Sequence, residues 1–328
     1  MIKLKTGFGA LVALYAVACS AQAEEALIGY ISPIAAQPGQ QLINGAIEAA
    51  SKEKGWQYRV LDANLSADKQ VSHVDTLLNL GAKAIGSWSL DANAVAGAYQ
   101  RANEQGVPVI GVNSVGQGVT NTVWWEVNTC NPGGPYERQA KWIAEKVPNA
   151  KVIVFGGPPV ASIMMNAKCF TEAAKAAGLE VIDRVDNTKD STANAATLAS
   201  DELIRFPDVQ AFWAYNDSSA LGISASVIAA GKSVYSGSNT DGVMVFGING
   251  DADAIAAVRE GRLTGTWDPD ASATGFAVAR AMDEAMSNPT GEHKPIVVAG
   301  TFFTSENIAT WVKDTKRGYS IGQFPEVK

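Results

Sequence analysis

The sequence predicts an α/β protein built from two similar lobes, each with a parallel sheet and helices on both faces. Short apolar strands alternate with amphipathic helices along the chain, which is the pattern of parallel sheets. This pattern starts again after residue 130. The 328 residues suffice for two lobes of about 150 residues, each large enough to bury its own core.

The first lobe alternates strands and helices from the start of the predicted mature chain. In its first helix, Leu42, Ala46 and Ala50 recur at helical spacing. Gly55 ends that helix, as glycine commonly does. Right-handed crossovers are expected between consecutive parallel strands. The predicted strands are 26–31, 56–61, 84–87 and 107–112, and the predicted helices are 41–54, 69–80 and 92–105.

The second lobe repeats this order about 125 residues later. The segment from Glu172 to Gly178, with the strand after it, resembles the segment from Glu48 to Gly55. An internal repeat of this size indicates two related lobes and not one larger domain. The predicted strands are 151–155, 209–214 and 243–248, with a helix over 166–177.

The last elements do not complete the second lobe in order. A strand over 263–267 is followed by a helix over 271–287 and one strand over 295–303. This helix has no partner strands of its own, so we expect the chain to cross back to the first lobe and return.

The first 23 residues have the features of a secretory signal peptide. Lys3 and Lys5 precede an apolar run that is too short to span a bilayer, and the small residues around Ala23 suit a signal peptidase. Lipidation at Cys19 is the alternative interpretation. Cleavage near Ala23 leaves 24 basic and 33 acidic residues, a net charge of −9, and places the protein in the periplasm.

The composition excludes several classes of protein. The acidic balance argues against a nucleic-acid partner, since phosphates require a basic surface. Two isolated histidines argue against a zinc enzyme, and we expect no metal and no cofactor. Export would leave Cys130 and Cys169, which either form a disulfide in an oxidising compartment or are two small buried side chains. The compartment favours the disulfide.

No catalytic motif is visible in the chain. The sequence has no Gly-x-Ser-x-Gly motif, no phosphate-binding lysine loop and no His–Glu metal pair. The glycines at 156 and 157 follow a strand, but Pro158 and Pro159 remove the amide donors that a phosphate would need. The sequence therefore predicts a binding protein and not an enzyme.

Neutral polar residues follow the predicted strands. Ligands of open α/β sheets bind just beyond the carboxyl ends of strands, and amides and aromatic rings suit an uncharged, hydroxylated ligand. Each residue also has a structural interpretation, because Asn and Asp cap helices; Asp91, Asp217, Asp251 and Asp253 fit caps better than ligand contacts. The strand ends are Ser32 to Gln37, Ser87-Trp88-Ser89, Asn113-Ser114, Tyr215-Asn216-Asp217, Asn249-Gly250-Asp251 and Trp267-Asp268.

Taken in order, several of these segments resemble one known family from Ala26 to Phe303. The chain is similar to the periplasmic sugar-binding proteins of the ribose- and galactose-binding type, the solute receptors of ABC importers. The segments that carry the resemblance are Ile28-Gly29-Tyr30-Ile31-Ser32, Val107-Pro108-Val109-Ile110-Gly111-Val112-Asn113, Trp213-Ala214-Tyr215-Asn216-Asp217, Val245-Phe246-Gly247-Ile248-Asn249-Gly250 and Ala257-Val258-Arg259-Glu260-Gly261-Arg262-Leu263.

The resemblance implies a type I periplasmic binding fold, with two Rossmann-like lobes joined by a three-crossing hinge. We place the crossings near 127–128, 268–269 and 299–300. The N-terminal lobe is then 24–127 plus 269–299, and the C-terminal lobe is 128–268 plus 300–328. Asn216 matches a family asparagine that binds sugar hydroxyls. Asn113 and Asn249 stand where the family has aspartates, and Asp268 occupies a hinge position that carries a polar sugar contact.

The chain also departs from the family pattern. The aromatic pair that encloses the sugar ring is absent from the stretch beginning at Gln37, and the arginine that clamps hydroxyls is replaced near Asn166. Tryptophan is therefore the candidate stacking surface: Trp88 stands at a strand end that faces the expected cleft, and Trp267 flanks the hinge. Of Trp124 and Trp125, at most one can point into the cleft, because neighbours on a strand face opposite ways. Trp213, inside an apolar strand, is expected in the core.

The sequence thus predicts a monomeric solute-binding protein of a carbohydrate ABC importer, with a small neutral sugar or polyol as ligand and a membrane permease as partner. Two alternatives remain at this level. One is a periplasmic sensor or chemoreceptor protein of the same fold, and the other is a secreted carbohydrate-active enzyme.

Overall fold

The computed structural model describes residues 25–328, so the predicted signal peptide and Cys19 lie outside the described residues. The strands are β1 (Leu27–Ser32), β2 (Gln57–Asp62), β3 (Ala84–Ser87), β4 (Val109–Val112), β5 (Asn121–Trp125), β6 (Lys151–Gly156), β7 (Glu180–Asp186), β8 (Ala211–Ala214), β9 (Met244–Ile248), β10 (Gly265–Asp268), β11 (Ile296–Val298) and β12 (Thr301–Thr304). The helices are α1 (Pro38–Lys54), α2 (Ala67–Asn79), α3 (Ala92–Glu104), α4 (Pro135–Lys146), α5 (Ala161–Ala176), α6 (Thr192–Arg205), α7 (Asp217–Ala229), α8 (Ala252–Arg259) and α9 (Ala271–Ser287).

Two six-stranded sheets organise the molecule, in the orders β11-β5-β4-β3-β1-β2 and β12-β10-β9-β8-β6-β7. We call the units built on them the first lobe and the second lobe. Paired strands run parallel, except that β12 is antiparallel to β10. The predicted fold class is confirmed, and the two matching strand orders explain the internal repeat.

Helix α9 returns to the first lobe, as its lack of partner strands predicts. It packs against α1 and against β3, β4 and β5. Gly275 makes the close approach to α1 possible, because a Cβ there would lie 2.5 Å from the carbonyl oxygen of Ile43. The chain thus leaves the second lobe after β10 and re-enters it at β12.

The predicted strand over 295–303 is wrong as a single element. It is two strands in different sheets, β11 in the first lobe and β12 in the second, separated at Ala299 and Gly300. A continuous apolar run cannot reveal this division, because both halves are good strand formers.

The C-terminal tail differs from its expected place in the second lobe. After β12 it runs back to the first lobe, where the Val327 N–H donates to the Val297 carbonyl at 2.8 Å. Ile321 and Phe324 pack on the outer face formed by α1 and α9. The reason is apolar burial, since that face is otherwise open to solvent.

A disulfide joins Cys130 and Cys169, whose Cα atoms lie 5.9 Å apart. It links the first crossing between the lobes to α5, which decides between the two interpretations of these cysteines. Among residues 25–328, no helix has the length and apolar character needed to cross a bilayer.

Candidate functional site

A cavity lies between the two lobes, beyond the carboxyl ends of strands from both sheets. About 90 Å³ of its space is open to the centres of water-sized spheres. Strand ends are where open α/β sheets bind ligands. Its polar side chains are Gln37, Gln40, Asn128, Ser162, Asn166, Asp190, Tyr215, Asn216 and Asn249.

The rest of the lining is apolar. Trp88 and Trp125 contribute aromatic surface, and Asp190 is the one acidic or basic side chain among the described residues that line the cavity. The aliphatic lining residues are Pro33, Ile34, Leu65, Leu90, Pro158, Val160, Ile163 and Ile248.

Five of the eight sequence-predicted ligand contacts line this cavity. Gln37 and Trp88 come from the first lobe, and Asn166, Asn216 and Asn249 come from the second. Their sequence positions are far apart, but parallel strands end at a common edge in each lobe, and the two edges face each other.

Asn113 and Trp267 are not among the residues that line the cavity. The Asn113 side-chain oxygen accepts the backbone N–H of Trp125 at 2.7 Å, so the amide is used inside the first lobe. Trp267 stacks on Phe302 and donates its indole N–H to Gln139 at 3.2 Å. Its ring therefore belongs to the core between the second sheet and α4.

Asp268 is also outside the cavity lining, because the C-terminal tail occupies its carboxylate. Arg317 forms ion pairs with Asp268, with Asp270 at 3.0 Å and with Asp314 at 3.4 Å. The Tyr319 hydroxyl donates to Asp270 at 2.5 Å. We call these five residues the hinge cluster. Burial raises the pKa of the Asp268 carboxyl, and Arg317 offsets part of that rise.

Asp190 is the central polar residue of the cavity, and no sequence pattern predicts its role. Its carboxylate accepts the Gln37 side-chain N–H at 2.6 Å, the Asn216 side-chain N–H at 2.9 Å and the Tyr215 hydroxyl. The bond from Gln37 joins the two lobes directly. The available signal is position, since Asp190 lies between β7 and α6 at the edge where the other strand ends meet.

Asn216 has two roles, helix cap and cavity residue, which are alternative interpretations at the level of sequence. Its side-chain oxygen caps α7 by accepting the Ser219 N–H at 2.9 Å, while its amide nitrogen donates to Asp190 inside the cavity. Asp91, in contrast, only caps α3 in this structure, accepting two backbone N–H groups of that helix.

The aromatic wall consists of Trp88 and Trp125, whose rings meet edge to face with centroids 5.0 Å apart. The Trp88 indole N–H donates across the cavity to the Ser162 hydroxyl at 3.3 Å. Trp125, and not its neighbour Trp124, lines the cavity. Trp213 is completely buried and stays in the core, as expected.

Two cavity amides carry a side-chain oxygen that has no hydrogen-bond partner among the described residues. They are Asn128 and Asn166, and both residues are buried. A buried acceptor without a partner is unfavourable, so these oxygens are suited to accept hydrogen bonds from a ligand. From sequence, Asn128 is predicted only as part of a crossing between the lobes.

Tyr215 remains a hydrogen-bond donor in this environment. Burial raises the pKa of its hydroxyl, and the neighbouring Asp190 charge raises it further. The ring fits because residue 157 is glycine, and a Cβ there would lie 2.3 Å from the Tyr215 ring.

Comparisons with known proteins agree with this architecture. A family model described as periplasmic binding protein domain matches residues 28–290. The ribose import binding protein RbsB of Bacillus subtilis is 29% identical over 242 residues, which are 73% of this chain and 75% of that protein. The D-apiose import binding protein of Paraburkholderia graminis is 26% identical, over 91% of this chain and 93% of that protein.

Solved structures show the same fold. An ABC transporter solute-binding protein from Bacillus halodurans, with bound myo-inositol, superposes with a TM-score of 0.75. The likeness covers 87% of this chain and 96% of that chain at 20% identity.

Proposed function

The chain belongs to the periplasmic binding protein domain family, and from that premise we propose that it is the solute-binding protein of a carbohydrate ABC importer. Its ligand is a small neutral sugar or polyol. Its action is binding and release, and no catalytic step is needed.

The observation that carries this proposal is the cavity lined from both lobes. Gln37 and Trp88 reach it from one side, and Asn166, Asn216 and Asn249 reach it from the other. A ligand between them contacts both lobes only when the lobes are together. Binding therefore stabilises the closed form, because the open form makes only one set of contacts.

The lining fits a ligand with hydroxyl groups and an apolar face. Amides of Asn128, Asn166 and Asn216 offer donors and acceptors, while Trp88 and Trp125 offer aromatic surface for the C–H side of a sugar ring. Relatives named for import of ribose and D-apiose, and a fold neighbour with bound myo-inositol, support this ligand class.

The location and partner follow from the same function. We place the protein in the periplasm after cleavage near Ala23, as a monomer that delivers its solute to an inner-membrane permease. The first lobe comprises 24–127 and 269–299, and the second comprises 128–268 and the start of 300–328. The end of the tail is assigned to the first lobe, on the contacts of Ile321 and Phe324.

The test is native mass spectrometry of the exported protein, followed by thermal unfolding with D-ribose, D-apiose, D-allose and myo-inositol. A solute that binds only the folded state raises Tm as its concentration rises. We expect a co-purifying neutral carbohydrate and a saturable rise in Tm with at least one probe. If no neutral sugar or polyol raises Tm and only anionic solutes do, the proposal is wrong.

A further inference from the structure

We propose that Asp190 sets the charge selectivity of the cavity, so that it admits neutral or cationic solutes and rejects anionic ones. The proposal deepens the function given above and rests on the same cavity. It assigns a specificity role to a residue that the sequence pattern does not mark.

The cavity has an unbalanced charge. Asp190 is negative, and no lysine, arginine or histidine occurs among the described residues that line the cavity. Other carboxylates of the same region are paired with arginine: Asp186 lies 3.1 Å from Arg184, and Asp183 lies 2.8 Å from Arg205. Asp190 has no cationic partner within the part of the chain that the structure describes.

The Asp190 carboxylate is fixed by neutral donors. Gln37, Tyr215 and Asn216 hydrogen-bond to its two oxygens, which holds the carboxylate in place without a cationic side chain. Helices α6 and α7 begin beside it, after Ser191 and Asn216, and their positive ends stabilise a carboxylate. The negative charge is thus a built feature of the site.

The other polar groups add acceptors to the same cavity. The side-chain oxygens of Asn128 and Asn166 have no donor among the described residues. Hydroxyl and ammonium groups supply donors, whereas a carboxylate or phosphate supplies only acceptors. The anionic group of a solute cannot donate to these acceptors, and it would meet a like charge in surroundings dominated by apolar side chains.

The expected effect is large, because apolar surroundings screen charge poorly. Two like charges about 5 Å apart in a partly buried site repel strongly enough to change affinity by tenfold or more. A cationic group gains the opposite effect, and Trp88 and Trp125 provide aromatic faces that also attract cations.

The test uses isothermal titration calorimetry at about pH 6.5, where amines are protonated and carboxylic acids are ionised. Each probe series has neutral, amino and acidic forms: D-glucose, D-glucosamine and D-glucuronate; D-galactose, D-galactosamine and D-galacturonate; D-ribose, 3-amino-3-deoxy-D-ribose and D-ribonate. Benzyl alcohol, benzylamine and benzoate form a series without carbohydrate. The proteins are the wild type, Asp190→Asn and Asp208→Asn.

Asp208→Asn is the matched control. It removes one negative charge from an exposed ion pair with Lys151, at the opposite end of the second sheet. Far-UV circular dichroism and Tm verify that each variant is folded. We expect the wild type and the control to bind neutral and amino forms at least about tenfold more tightly than acidic forms, and Asp190→Asn to reduce that ratio to about threefold or less.

The outcomes separate the two proposals. Equal binding of neutral and acidic sugars, unchanged in Asp190→Asn, overturns the charge inference and leaves the carbohydrate function intact. Binding confined to benzylamine and benzyl alcohol supports the inference and overturns the carbohydrate function. A folded protein that binds none of the series overturns both.

Discussion

The cavity and the hinge cluster both use aspartates that follow strands of the second sheet, and they use them in opposite ways. In the cavity, Asp190 is held by neutral donors and keeps its charge available. In the hinge cluster, Asp268 and Asp270 share ion pairs with the buried Arg317. One site is arranged to contact a ligand, and the other is arranged to hold the tail against the hinge.

The difference shows that residue type and strand position do not decide the role of an aspartate. Asp268 is the last residue of β10 and Asp190 lies shortly after β7, in the same sheet, and only Asp190 lines the cavity. What separates them is a tail residue, Arg317, which is 49 positions from Asp268 in sequence. The following experiments test that contrast, beginning with the largest expected effect.

Replacing Arg317 with methionine should destabilise the protein strongly. The variant leaves Asp268 and Asp270 buried without a cation, and such unpaired charges cost about 3–5 kcal/mol. Urea unfolding measures the loss. The control is Arg101→Met, which breaks a half-exposed pair with Asp75 and should cost about 1 kcal/mol or less. Equal losses in the two variants would show that the hinge cluster is not the stabilising element.

Replacing Asn216 with alanine should weaken solute binding about tenfold to a hundredfold, since it removes a cavity amide and a donor to Asp190. It also removes the α7 cap, which costs about 1 kcal/mol of stability. Titration calorimetry and urea unfolding separate the two effects. Asn216→Ser restores a capping oxygen and should recover stability without recovering affinity.

Ser66→Ala is the matched control for Asn216, because Ser66 caps α2 and its own side chain does not line the cavity. It should lower stability by a similar amount and leave affinity unchanged. Unchanged affinity in Asn216→Ala would remove this residue from the binding site.

The buried carboxyl of Asp251 should make the protein more stable in mild acid. This is the smallest of the three expected effects. Burial, followed by the charge of Asp268, raises the pKa of Asp251 to about 6. The folded state therefore holds a proton that the unfolded state releases, and this stabilisation is present below about pH 4 and lost as pH rises through about 6.

The measurement is Tm between about pH 4 and 7 for the wild type, Asp251→Asn and the exposed control Asp253→Asn. Asp251→Asn should flatten the profile by about 2–4 °C, equivalent to about 1 kcal/mol, while the control follows the wild type. Parallel profiles for all three proteins would contradict a raised pKa at Asp251.

Much of the fold is predictable from local patterns. The strand over 84–87 and the helix over 271–287 have their predicted bounds, because each is a clear periodic segment with sharp ends. The prediction of a single strand over 295–303 is wrong, because the break between β11 and β12 depends on which sheet each half joins. Pairing partners come from distant residues, which no window of sequence contains.

The residues of the cavity were predictable to a similar extent as the fold. Asn216 and Trp88 follow strands whose ends meet at the cavity, so the rule of strand ends places them correctly. The rule fails for Trp267, whose ring turns to α4, and for Asp268, which the tail covers. Asp190 was missed because a turn separates it from β7.

The sequence alone determined the two repeated lobes, the polar strand ends and the return of α9, since periodicity and spacing are local properties of the chain. Tertiary structure decided which polar groups face each other across the cavity. It brings the Gln37 side chain into a hydrogen bond with Asp190, 153 residues away, and Arg317 into an ion pair with Asp268. Contacts between distant residues depend on how the lobes and the tail pack, and this packing sets apart the carboxylate that faces the cavity from those that hold the hinge.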